Sequence, residues 1–199
     1  MMRPTPSPLL TLCLVPLLLT LAVTRAAGQD EEGAQPAPFG RHAVGVEFTA
    51  TALVEAWNRN ERRDWLAGGS AGIWWTFRER ATLLVEVQLA RVYQPGTTNA
   101  FVQGLSPLLR LRACGGGRQT VFLELGPGIS WSDVAVPLRG TRFNYLAIAG
   151  GGVTRRLSPQ TEAVLGFRWV HLSNAGREGR DRNPDIEALG PYAGVRIAF

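Results

Sequence analysis

A period-two alternation of apolar and polar residues, recurring from one end of the chain to the other, limits what this sequence can become. Leu83, Val85, Val87 and Leu89 alternate with Glu86 and Gln88, and Leu165, Phe167 and Trp169 alternate with Gly166 and Arg168. Successive side chains point to opposite faces in an extended strand, so each such segment reads as a strand with one apolar face. Eight segments fit this description. They cover Ala43 to Val54, Ile73 to Arg80, Leu83 to Leu89, Leu105 to Ala113, Val121 to Leu125, Phe143 to Ala149, the stretch through Trp169, and Leu189 to Phe199. The links between them alternate in length. Those over 55–72, 93–104, 126–141 and 174–187 are long, while those near Glu79, at Gly115-Gly116-Gly117 and over 155–160 are short. No stretch carries a helical period.

Eight alternating strands joined by links of alternating length are the pattern of a small transmembrane β-barrel. Closing the sheet pairs every backbone group without water, which a membrane demands, and tilted strands of roughly ten residues span the hydrocarbon core. The expected fold class is therefore all-β, an eight-stranded antiparallel transmembrane β-barrel. The apolar parity faces lipid, and Glu47, Arg78, Glu86, Arg110, Arg112, Glu124, Arg168 and Arg196 point inward. Eight strands enclose only a side-chain-filled interior, so these charges must pair. The competing reading is a soluble, lipocalin-like barrel with the aliphatics inside and the charges in solvent. Alternation alone does not choose between them.

The chain opens with Arg3, an apolar run from Leu9 to Leu21 and the small residues Ala26-Ala27-Gly28, the layout of a secretory signal peptide. The expected organisation is a signal peptide over 1–28, a flexible periplasmic leader over 29–40 and the barrel over 41–199. Cys13 falls in the signal, so Cys114 stands alone in the exported part and no internal disulfide forms. All 21 basic residues are Arg, with a net charge of +5. Export argues against nucleic acid as the partner. Guanidinium groups beside an anionic lipid surface fit better, since they pair with phosphate in a bidentate way. No metal-ligand cluster and no phosphate-cradling glycine loop is present, so no metal and no cofactor is expected.

The seventh strand ends in Trp169-Val170-His171-Leu172-Ser173-Asn174-Ala175-Gly176, and Asn183-Pro184-Asp185-Ile186-Glu187 follows one loop later. Period two puts His171 and Ser173 on one face with Phe167 and Trp169. An imidazole and a hydroxyl at i and i+2 can reach each other, as a base and its nucleophile must. With both termini in the periplasm, this pair lies at the outer end of its strand, just beyond Trp169 in the aromatic belt. Asp185 and Glu187 share the outward parity at the start of the next strand. A polar pair on a lipid-facing surface is costly unless it has partners, and such residues mark functional sites. Asn144 and Tyr145 read as lining and girdle residues.

The segment from His171 to Gly176, with Asn183-Pro184 and Ile186-Glu187 downstream, resembles the motif of the outer-membrane lipid A 3-O-deacylases (PagL-like). The terminal Phe199 likewise resembles the terminal aromatic of bacterial outer-membrane barrels. The resemblance implies an eight-stranded barrel whose outer wall hydrolyses an ester-linked acyl chain of lipid A. Carried over by position, Ser173 is the nucleophile, His171 the general base and Glu187 the acid that orients the imidazole. Asn174 and the backbone N–H of Gly176 would hold the oxyanion. The family pattern has glycine where this chain has Asp185, so Asp185 competes with Glu187 for the third place. Arg177, Arg180 and Arg182 either bind lipid A phosphates or form a solvated loop. The implied partners are lipopolysaccharide and the outer membrane, with a homodimer left open. Two other functions compete: a non-catalytic structural or adhesive barrel, and a soluble lipid binder.

Overall fold

Each alternating segment becomes a strand in the computed structural model, which describes residues 39–57 and 63–199. The strands are β1 (Val44–Glu55), β2 (Trp65–Arg78), β3 (Ala81–Tyr93), β4 (Ala100–Gly116), β5 (Gln119–Val136), β6 (Thr141–Ser158), β7 (Thr161–Ser173) and β8 (Ile186–Ala198). Each pairs antiparallel with its neighbours in sequence, and β8 returns to β1 to close the barrel. Turns at 79–80, 117–118 and 159–160 lie at the rim that carries Phe199. The longer connections lie at the opposite rim. The only helix among the described residues is a 3-10 turn at Arg180–Arg182. The signal peptide expected over 1–28, and the leader as far as residue 38, lie outside the described residues. Phe39 is buried in the barrel mouth, stacked on Trp74 with ring centroids 5.7 Å apart.

Strand extends well into the expected long links, notably in β2 and β5. β2 begins at Trp65 rather than after Gly72, because Ala67-Gly68-Gly69-Ser70-Ala71-Gly72 pairs fully with β1 and β3 while showing no apolar contrast. β5 runs through Gly126-Pro127-Gly128 to Val136, where the composition suggests a turn. Counting inward from Leu105↔Ile129 and Leu109↔Leu125 sets Pro127 across from Pro107. Neither proline has an N–H to give, so the ladder skips that point while both rings stay on the outer face.

The outward parity carries Phe48, Trp75, Val85, Leu89, Leu105, Leu123, Leu125, Leu165 and Phe167, all exposed. The inward parity carries charge. Arg110 donates to both carboxylate oxygens of Glu47 at 2.6 and 2.9 Å and to Glu124 at 2.8 Å. Arg168 donates to the other oxygen of Glu124 at 2.6 Å and to Glu86 at 2.8 Å. Arg196 donates to Glu162 at 3.2 Å and stands 3.3 Å from Glu47. The three guanidinium groups also lie over the rings of Phe122, Tyr192 and Trp74 at 4.2, 4.4 and 4.3 Å. This arrangement overturns the lipocalin-like reading, which puts those charges in solvent. Of the eight charges expected to point inward, Arg78 and Arg112 are not buried. Both lie near the wet rim, beside register shifts at Thr76/Arg78 and Arg112/Cys114.

Room for the interior rings comes from glycine. A Cβ on Gly166 would stand 2.4 Å from the Tyr192 ring, and one on Gly45 would stand 2.5 Å from Trp74. Arginine and aromatic side chains plug much of the interior, leaving a cavity of about 70 Å³ beside Ser70 and Arg168.

Candidate active site

The ladder between β7 and β8 sets His171 directly across from Glu187. The ladder between β6 and β7 sets Ser173 across from Tyr145 and His171 across from Ala147. All five side chains share the outward face near the rim of long loops. His171 Nε2 and Ser173 Oγ lie 3.1 Å apart. On the other side of the ring, Nδ1 lies 3.8 Å from Glu187 Oε1 and 3.9 Å from Asp185 Oδ2. Two carboxylates beside Nδ1 favour the tautomer with its proton there. In that tautomer Ser173 Oγ–H donates to Nε2, the orientation a general base requires. The Trp169 ring stacks on the imidazole at 6.0 Å and an angle of 22°. His171, Asp185 and Glu187 offer atoms within 4.8 Å of one another, close enough for a cation.

The loop after Ser173 is built by Asn174. Its side-chain oxygen accepts the N–H of Gly176 at 2.9 Å, and its amide nitrogen donates to the carbonyl of Arg182 at 2.6 Å. Its own backbone N–H donates to the side chain of Asn183 at 3.0 Å. Ala175 and Gly176 have φ values of 55° and 72°, a left-handed turn that glycine adopts without strain. Asn174 and Gly176 are therefore brought beside Ser173, with the Gly176 N–H and one amide hydrogen of Asn174 engaged in holding the loop. Ser173 itself is only 8% exposed.

Two of the loop arginines take different partners. Arg177 donates to the Tyr145 hydroxyl at 3.0 Å. Arg182 pairs with Glu178 at 2.6 Å in an exposed i, i+4 contact, while Arg180 lies on the 3-10 turn. Tyr145, read from the sequence as a girdle residue, stands directly across from the serine. Its outward parity was legible; its register against Ser173 was not.

A family pattern described as lipid A 3-O-deacylase (PagL) matches residues 40–196. The chain belongs to the lipid A 3-O-deacylase family. The match takes in β1 to β7, β8 as far as Arg196 and the whole His171–Glu187 constellation, and it makes the protein an outer-membrane barrel of a Gram-negative bacterium. Among solved structures, the deacylase-family barrel is similar to Neisserial surface protein A, at 12% identity and a TM-score of 0.56, over 79% of this chain and 96% of that one. It is similar to the outer membrane enzyme PagL at 18% identity and a TM-score of 0.52, over 75% and 97%. The outer membrane protein OprG from Pseudomonas aeruginosa follows at 9% identity and 0.50, over 81% and 98%. At these identities the structures share the fold, and a fold does not carry a function. No curated protein matches the sequence.

Proposed function

We propose that this deacylase-family protein is a serine esterase that removes an ester-linked 3-hydroxyacyl chain from lipid A. The observation that carries the reading is the 3.1 Å contact between His171 Nε2 and Ser173 Oγ, on the lipid-facing surface, with two carboxylates behind Nδ1. With the long loops extracellular, this surface meets the outer leaflet, where lipopolysaccharide resides. Ser173 attacks the ester carbonyl while its proton passes to His171 Nε2. The carbonyl π pair moves onto oxygen, and the resulting anion is held by nearby donors, Asn174 among them through its second amide hydrogen. Collapse breaks the bond to the sugar oxygen, which takes the proton from His171. Water then attacks the acyl-enzyme, again giving its proton to His171, and the fatty acid leaves as that proton returns to Ser173 Oγ.

Glu187 steadies the imidazolium formed in both halves. It is the third member in this reading because strand pairing holds it opposite His171. The loop arginines 180 and 182 meet the phosphates of the same lipid, while Arg177 is engaged by the Tyr145 hydroxyl. Every catalytic group comes from one chain, so no second copy is required. Export follows the signal peptide read over 1–28.

Expression in a Gram-negative host, followed by mass analysis of extracted lipid A, tests the proposal. The wild-type chain should lower the lipid A mass by one hydroxyacyl group, and Ser173→Ala and His171→Ala should each abolish the shift in a folded barrel. Deacylation by the Ser173→Ala protein would remove Ser173 as nucleophile. A folded wild-type barrel that leaves lipid A unchanged would support the non-catalytic reading instead.

A further inference from the structure

Around Ser173, the hydrogen-bond donors expected to meet an oxyanion are largely occupied. The Gly176 N–H is held by Asn174, and one amide hydrogen of Asn174 is held by Arg182. Tyr145 is in the opposite condition. Its oxygen accepts from Arg177 Nη1 at 3.0 Å, so its own O–H points elsewhere and has no acceptor among the described residues. Directly paired residues on an antiparallel ladder carry Cβ atoms roughly 4.5–5.5 Å apart, and Tyr145 is the direct partner of Ser173. Arg177 lies four residues beyond Ser173, so its bond ties the phenol to the loop that follows the serine. Behind it, the Tyr145 ring is fixed edge-on against Phe143, with centroids 5.3 Å apart.

Resting on the esterase reading, we propose that Tyr145 is a further catalytic residue, its O–H donating to the ester oxygen as that oxygen becomes an anion. Arg177 is the positioning residue that orients the phenol. Its positive charge withdraws electron density from the phenol oxygen, which strengthens the O–H as a donor. No proton is transferred: the hydrogen bond shortens as charge develops and lengthens when the carbonyl re-forms. Removing a donor that acts on the transition state more than on the bound ester lowers kcat and leaves KM nearly alone.

Tyr145→Phe is the informative change, since it deletes one oxygen and keeps the ring against Phe143. Full-length wild-type, Tyr145→Phe, Arg177→Gln and Ser173→Ala proteins are purified in detergent, checked for the heat-modified gel shift of a folded barrel, and assayed on purified lipid A in mixed micelles. Tyr145→Phe should lower kcat by roughly 10²- to 10³-fold, the effect of removing one oxyanion donor, with KM changed less than about twofold. Arg177→Gln should lower kcat by a smaller factor, and should add nothing further in the Tyr145→Phe background, because its effect runs through the phenol. A folded Tyr145→Phe protein with wild-type kcat, or with only KM raised, overturns the role of Tyr145. Independent, multiplying effects of the two changes overturn the role of Arg177. A wild-type protein that releases no fatty acid overturns the esterase reading and this inference with it.

Discussion

Replacing Glu187 with alanine removes the carboxylate that faces His171 across the β7–β8 ladder, and its cost follows from one distance. Glu187 Oε1 lies 3.8 Å from Nδ1. At that separation a unit charge pair is worth about 4 kcal/mol at an effective dielectric of about 20. The imidazole is neutral in the resting triad and cationic in the transition state, so nearly all of this attraction appears as barrier lowering. About 4 kcal/mol corresponds to roughly 10³-fold in kcat. Asp185 Oδ2 lies at 3.9 Å, so distance alone gives it almost the same value. What separates the two is support: Glu187 is inside β8, whereas Asp185 precedes it on the loop. A loop carboxylate holds its geometry for less of the time, so Asp185→Ala should cost less than about tenfold. Rates are measured on purified lipid A at equal concentrations of folded barrel. The reverse ranking would transfer the orienting role to Asp185, and two small effects would mean that no carboxylate drives the imidazolium.

Unheated protein should migrate differently from boiled protein on a detergent gel and stay with membranes through a high-salt wash; recovery as a soluble periplasmic monomer would contradict the barrel's apolar exterior. Glu124→Leu deprives both Arg110 and Arg168 of a buried partner, at 2.8 and 2.6 Å. Breaking a buried ion pair from one side costs about 3–5 kcal/mol, which equilibrium unfolding in detergent would detect; a loss under about 1 kcal/mol would show that Glu47 and Glu86 suffice. Gly166→Ala should destabilise by about 1–3 kcal/mol through overpacking against Tyr192, with the lipid A mass shift retained, since the clash is inside the barrel and the chemistry outside.

Alternation and link length were enough to number the strands and to sort their residues onto two faces, with Phe199 on the apolar one, because the two-residue period is a property of the extended chain itself. The His-x-Ser spacing was legible for the same reason: residues two apart on one strand remain neighbours however the sheet closes. The small-residue run over Ala67–Gly72 and the Gly-Pro-Gly over 126–128 hid strand, since they show no apolar contrast until β1, β3 and β6 pair with them. The sequence also left open whether apolar residues lined the inside or the outside. That was decided by the sheet's closure, which put Glu47, Glu86 and Glu124 within reach of Arg110 and Arg168 from strands far apart in the chain. Glu187 across from His171 and Tyr145 across from Ser173 are likewise facts of register. Register depends on which backbone groups pair across two strands, and no local pattern along one strand contains that information.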